Sequence, residues 1–422
     1  MNSFLIKGLG KKKKLEGTLR VNGAKNAVLK AQAASVLFKE EVVLKNVPFI
    51  EDFLQMNCLL GSLGVEVFHE EGRTFRYKIS SGIKPEMDLK IATLLRSSVV
   101  LTGPILAREG RVFFPHPGGC VIGKRPIDVF LDSFKEMGAG VIEETNFYRI
   151  EAKKLKGADI FFKLPSVTAT ETLMMAAVLA YGKTILRNVA CEPEIAVLAN
   201  FLNASGADIK GAGTNTIEIN GRSGKLLEKG VFETPPDRVE AGSFAVIASI
   251  LGKNLRISDC DPSHMRAELS ALKETGVDIK IGKDYLLISA PKRLTAVDIK
   301  THEYPGFSTD MQAPFSVLLT QAEGKSMVFE TVFDGRLNYL NDLERMGAKI
   351  IICDPHRAII EGPTKLRGRK MESPDLRAGL AFLTAALAAE GESEISNIYN
   401  IDRGYEKIEE RLSNIGATIK RI

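Results

Sequence analysis

The stretch LERMGAKI, residues 343–350, reads as the end of a helix, a turn on Gly347 and the start of a strand. Glycine is the residue that most readily takes the left-handed conformation closing a helix, and an apolar–polar alternation after it signals a strand. The same signal occurs five more times, as LLGSLGVEV (59–67), FKEMGAGVI (134–142), FLNASGADI (201–209), LKETGVDI (272–279) and LSNIGATI (412–419). The turn glycines are Gly64, Gly138, Gly206, Gly276, Gly347 and Gly416, at spacings of 74, 68, 70, 71 and 69 residues. Six units of about 70 residues account for all 422, so the chain is a sixfold array of one α/β module.

Each module carries a second helical pattern that is apolar nearly all round: AVLKAQAASVLF, RSSVVLTGPILA, ETLMMAAVLA, SFAVIASILG, APFSVLLTQA and AGLAFLTAALAA. Helices of that kind are buried, whereas those ending at the six glycines are amphipathic and face solvent on one side. The expected architecture has helices inside and sheets outside, with three modules per domain. The Pro-Pro break in VFETPPDR, near residue 235, divides the modules three and three. The first domain is expected over residues 25–235, and the second over 1–24 together with 236–422. The N-terminal stretch KGLGKKKKLEGTLRVNG is expected to be a strand joining the last module.

Composition narrows the class. There are 57 Lys plus Arg against 52 Asp plus Glu, a net charge of +5 that does not call for a nucleic-acid partner. The longest uncharged run, residues 195–207, has 13 residues, short of the roughly 20 that span a bilayer. The N-terminal stretch has no signal-peptide pattern, and a cytoplasmic protein, favoured as a monomer, is expected. The five cysteines lack metal-ligand spacing, so free thiols and no metal are expected.

The starts of the helical patterns carry charged and polar residues: Lys25 and Asn26, Arg96, Ser166 and Thr168, Asp237 and Arg238, Asp310, Asp375 and Arg377, and in the second series Arg125, Glu192, Arg336 and Arg403. Any one of them reads equally as a helix cap or a rim charge. Lys25, Arg96, Arg125, Arg336, Arg377 and Arg403 as a set would repel one another unless an anion binds, and helix N-termini favour anions. Cys120, on the glycine-rich loop PGGCVIGKRPID beside Lys124 and Arg125, is placed as a reactive thiol. His116 reads as structural. No Ser-His-Asp pattern and no phosphate-loop motif are present.

These residues stand in motifs that resemble the enolpyruvyl transferases: GAKNAV at 23–28, LRSSVVLTGPILAR at 95–108, PGGCVIGKRPID at 117–128, PSVTATET at 165–172, EPEI at 192–195, PPDRVEAGSF at 235–244, FSTDMQAP at 307–314, TVFDGR at 331–336, DLRAG at 375–379 and IDRGYEKIEERL at 401–412. The resemblance runs end to end. It implies a two-domain inside-out α/β barrel of six modules, with the cleft between the domains. It also implies transfer of the enolpyruvyl group of phosphoenolpyruvate to the 3'-hydroxyl of UDP-N-acetylglucosamine. Phosphate is released, without a cofactor, in the first committed step of peptidoglycan synthesis, which bears on cell-wall biogenesis, cell shape and division.

Carried over residue by residue, the resemblance makes Cys120 the general acid and the target of fosfomycin, and Asp310 the base, with Lys25 and Arg403 completing the catalytic set. Lys25, Asn26, Arg96, Arg125, Arg377 and Arg403 would hold phosphoenolpyruvate. Asn26, Arg96, Arg125, Pro126, Ile127, Asp128, Val129, Ser166, Val167, Asp310 and Val332 would meet the sugar nucleotide. Departures from the family pattern at Phe130, Leu164, Thr168 and Asp334-Gly335 fall among nucleotide contacts and at a hinge. The alternatives are the family's shikimate 3-phosphate branch, which lacks a loop cysteine acid, and a catalytically silent regulatory paralogue.

Overall fold

The computed structural model describes residues 3–10, 14–116 and 127–422. All six turn glycines have left-handed backbones, with φ between 86° and 107°, at the ends of amphipathic helices. The six apolar patterns are helices with most of their residues buried: Lys25–Ala34, Thr102–Glu109, Val167–Leu179, Arg238–Leu251, Thr309–Leu319 and Leu376–Ala388. The second pattern begins earlier than its α-helix, as a 3-10 segment, Arg96–Leu101.

Among the described residues the strands form six separate hydrogen-bonded sheets, one per module, in one repeated order. In the third module, for example, the edge strand Asp159–Phe161 runs parallel to Lys183–Arg187. That strand pairs antiparallel with Thr216–Asn220, which pairs with Asp208–Lys210. Here the edge strand precedes the buried helix and pairs parallel with the strand after it, because a crossover connection returns the chain in the same direction. In the second module a single bridge, Glu86 to Phe113, stands in the edge position.

Three modules take strands from distant sequence. Gly230–Glu233 is the edge of the first module's sheet, parallel to Val42–Lys45. The stretch KGLGKKKKLEGTLRVNG, expected to be a strand of the last module, instead shares only Lys7 with that module's strand and carries a separate strand of another module. Phe4–Lys7 lies between Glu392–Ser396 and Thr418–Arg421 and so completes the last module. Thr18–Arg20 instead edges the fourth module, parallel to Leu255–Ser258.

The chain divides into two compact units. One contains residues 23–116 and 127–235; the other contains residues 3–10, 14–22 and 236–422. The first has a continuous apolar core drawn from Ala24 to Phe232, with Gly103 set against the backbone of Thr172 so closely that a Cβ would lie 2.1 Å from its oxygen. The second has its own core, from Phe4 to Val21 and from Val239 to Ile419. Among the described residues no helix is long and apolar enough to cross a membrane.

Candidate active site

In the unit of residues 23–235, three helix starts are tied together. Lys25 opens its helix, and its Nζ lies 2.6 Å from Oδ2 of Asp52, in the first turn of the Glu51–Leu63 helix. Asn26 follows, partly buried, with its carbonyl accepting from Lys30 at 2.9 Å. Ser166 caps the Val167–Leu179 helix through its hydroxyl, which accepts from the Ala169 amide at 3.2 Å, and Val167 is the helix's first residue. Glu192 precedes the Pro193–Ala204 helix. Arg96 starts the 3-10 segment, while Ile127, Asp128 and Val129 form the start of the Asp128–Glu136 helix, Ile127 buried and Asp128 exposed. Cys120, Arg125 and Pro126 lie outside the described residues.

In the other unit the chemistry centres on Asp310, the second residue of a helix capped by Ser308. Its Oδ1 accepts from Arg336 and its Oδ2 from Arg377, each at 2.9 Å. Both guanidiniums are nearly buried, at 3% and 7% side-chain exposure, whereas the carboxylate keeps 25%. Burial alone would disfavour the Arg377 charge, but Asp310, Tyr405 and Asp237 raise its pKa above the ordinary value. Arg377 also donates to the buried Tyr405 hydroxyl at 3.1 Å, and that hydroxyl pairs with Ser243 at 3.2 Å. The Asp310 carboxylate is thus fixed at both oxygens and still reachable, the arrangement needed for a proton acceptor of set orientation. Val332 sits on the loop after Glu330, which accepts from its amide at 2.8 Å. Arg403 follows the short Tyr399–Asp402 helix; Asp402 in turn accepts two hydrogen bonds, both 2.8 Å, from Arg421.

Part of the cationic set is therefore matched within the fold. Lys25 is matched by Asp52, and Arg336 and Arg377 share Asp310. For these three the expectation from mutual repulsion is narrowed, since it counted cations at helix starts without the acids that folding brings to them. Among the described residues no group of acids, histidines and cysteines could hold a metal ion. The four described cysteines are free, and burial, aided by acidic neighbours, pushes the Cys260 thiol up to about 11.

A family model described as EPSP synthase (3-phosphoshikimate 1-carboxyvinyltransferase) matches residues 9–412. The chain is 43% identical over 426 residues to the UDP-N-acetylglucosamine 1-carboxyvinyltransferase of Acidobacterium capsulatum, covering 100% of this chain and 96% of that protein. It is 44% identical over 408 residues to UDP-N-acetylglucosamine 1-carboxyvinyltransferase 1 of Caldanaerobacter subterraneus subsp. tengcongensis, covering 96% and 97%. The chain belongs to the enolpyruvyl transferase family. Its fold is that of the enolpyruvyl transferase NikO from Streptomyces tendae, with a TM-score of 0.89 at 22% identity over 100% of this chain and 98% of the other. EPSP synthase from Acinetobacter baumannii matches with a TM-score of 0.73 at 19% identity, covering both chains fully.

Within this enolpyruvyl transferase, Leu164 is 72% exposed, Thr168 lies in the first turn after the Ser166 cap and Phe130 is buried against Phe114 and Phe134. Phe130 is therefore part of the core. Asp334 is exposed, 3.4 Å from His356, close in sequence to the Arg336 that binds Asp310. Sequence reasoning placed Arg336 among the cations without giving it a partner, and it missed Asp52, Tyr405 and Ser243. The only available signal was that Tyr405 and Ser243 fall inside the quoted motifs IDRGYEKIEERL and PPDRVEAGSF.

Proposed function

We infer that this chain transfers the enolpyruvyl group of phosphoenolpyruvate to the 3'-hydroxyl of UDP-N-acetylglucosamine, releasing phosphate. The observation that carries this is end-to-end identity of 41–44% with proteins of that named activity. The donor's methylene carbon takes a proton from the Cys120 thiol, and C2, now oxocarbenium-like, is attacked by the sugar oxygen as Asp310 accepts the hydroxyl proton. Return of a methyl proton to the Cys120 thiolate then expels phosphate and regenerates the double bond. Such a path needs an acid, a positioned base and fixed cations for the leaving phosphate. Asp310, held at both oxygens, supports its role as the base; Lys25, Asn26, Arg96, Arg125, Arg377 and Arg403 are the proposed donor-binding residues. Asn26, Arg96, the run Arg125–Val129, Ser166, Val167, Asp310 and Val332 are those proposed for the nucleotide. The assignment places the protein in peptidoglycan synthesis, acting as a cytoplasmic enzyme on two small molecules.

Mass spectrometry of the product formed from phosphoenolpyruvate and UDP-N-acetylglucosamine tests the reading. An enolpyruvyl mass on the nucleotide, with phosphate release dependent on both substrates, is expected. Turnover with shikimate 3-phosphate in its place would overturn it, and no turnover with either acceptor would favour the silent paralogue. Cys120→Ser should lose most turnover, whereas Cys120→Asp retains some because a carboxyl can still donate a proton. Fosfomycin should alkylate wild-type Cys120 and leave the Asp variant unmodified.

A further inference from the structure

One turn inside the Lys25–Ala34 helix, Lys30 is almost completely buried, at 7% exposure. Its Nζ donates to the Asn26 carbonyl at 2.9 Å and lies 3.1 Å from Oε2 of Glu171, on the Val167–Leu179 helix. Glu171 is fully buried, and the ion contact is not aligned as a hydrogen bond, so neither carboxylate oxygen has one among the described residues. The adjacent Thr170 hydroxyl donates to the Ser166 carbonyl at 2.8 Å and accepts from the Ala190 amide at 3.2 Å, on the segment leading to Glu192. Three helix starts thus meet at one buried cation and one buried acid.

An apolar pair of similar volume would hold two helices at least as firmly, since removing two charges from water offsets most of their attraction. What a buried ion pair adds is a preferred register, because only one alignment of the two helices keeps the charges together. We propose that Lys30 and Glu171 are positioning residues that hold Asn26 and Ser166, and with them the two helix starts offered to the sugar nucleotide, at a set spacing. Asn26 and Ser166 belong to that site only on the acceptor assignment above, so the inference rests on it. Ser166 is assigned to the acceptor alone and Asn26 to both substrates, so the pair would act more on acceptor binding than on the donor.

The test uses the full-length enzyme with Glu171→Gln, Lys30→Met, the double variant Lys30→Met/Glu171→Met and the exchanged pair Lys30→Glu/Glu171→Lys. Each single variant should raise the KM for UDP-N-acetylglucosamine about tenfold, the size expected for losing one charge-assisted contact. The KM for phosphoenolpyruvate should rise by a clearly smaller factor, and kcat should stay within about twofold. The exchanged pair should recover part of the loss. A purely structural pair would lower the melting temperature and leave the ratio of the two KM values unchanged, and that outcome overturns the proposal, as does an unchanged acceptor KM. If the wild type does not use UDP-N-acetylglucosamine, the acceptor assignment fails. Amide hydrogen exchange then decides the pair separately. Faster exchange at residues 26–30 and 167–171 together in Glu171→Gln, with 102–109 unaffected, supports the tie, and no change at either segment overturns it.

Discussion

Asp310 shows at the scale of one residue why function and stability are joined here. Two nearly buried guanidiniums depend on its single carboxylate. Asp310→Asn should lower turnover roughly 10²- to 10⁴-fold, the usual contribution of a positioned base. It should also destabilise its unit by on the order of 3 kcal/mol, because Arg336 and Arg377 would remain buried without a counter-charge. Phosphate-release rates and urea unfolding followed by circular dichroism, suited to a chain without tryptophan, read the two effects; normal turnover in a folded variant would remove Asp310 as the base. Glu171 makes a second residue-scale prediction. Burial, opposed by Lys30 and reinforced by Glu194 and Glu192, lifts its carboxyl from an ordinary 4.5 to about 7. The folded chain then holds a proton that the unfolded chain has already lost. Stability from this group is complete below pH 4.5, falls as pH rises through the 4.5–7 window and is level above it, by at most roughly 3 kcal/mol. The loss of stability between pH 5 and pH 8 should therefore be smaller in Glu171→Gln than in the wild type, and equal losses would exclude a raised carboxyl. These partnerships were not legible in the sequence. The acids lie 27, 26 and 67 positions from their cations in Lys25–Asp52, Asp310–Arg336 and Asp310–Arg377, and no local pattern links them.

At the scale of elements, the helix endings were legible because their determinant is local. A glycine at φ near 100° requires no partner elsewhere in the chain, so each of the six turns announces itself within eight or nine residues. The sheets' edge strands were not, since Asp159–Phe161 and Lys370–Glu372 are three residues long and their pairing depends on where the next buried helix returns the chain. Two glycines separate local from tertiary constraint. A Cβ on Gly276 would meet only the Arg293 oxygen, 3.9 Å away, so Gly276→Ala costs about 1 kcal/mol through its backbone conformation alone. At Gly103 the Cβ would lie 2.1 Å from the Thr172 oxygen and 3.1 Å from its Cγ2, so one buried helix must move off another. Gly103→Ala should therefore cost several times more, in the range of roughly 2–4 kcal/mol seen for overpacked cores and strained contacts. Urea midpoints of the two variants give the comparison, and equal shifts would mean that the two helices can separate freely at that point.

For the whole molecule, the positions of the strands within the two cores lead to an asymmetric folding prediction. Every strand in the three sheets of the first unit comes from within residues 42–233, and its apolar core is drawn from Ala24 to Phe232. A fragment of residues 23–235 thus contains each pairing partner it needs, including Gly230–Glu233, which closes back on Val42–Lys45. Residues 236–422 do not. Their last sheet lacks Phe4–Lys7, the strand between Glu392–Ser396 and Thr418–Arg421, and their first sheet lacks the edge strand Thr18–Arg20. Without Phe4–Lys7, the two flanking strands have no common partner, and the buried side chains of Phe4 and Ile6 are lost from the core. Burying those two side chains contributes roughly 3–6 kcal/mol, a large part of the 5–15 kcal/mol by which a domain is stable. The 23–235 fragment should therefore unfold cooperatively in urea by circular dichroism, whereas 236–422 should show no cooperative transition until a peptide of residues 3–22 is added in trans. Cooperative unfolding of 236–422 alone would show that the N-terminal strands decorate that unit without completing it.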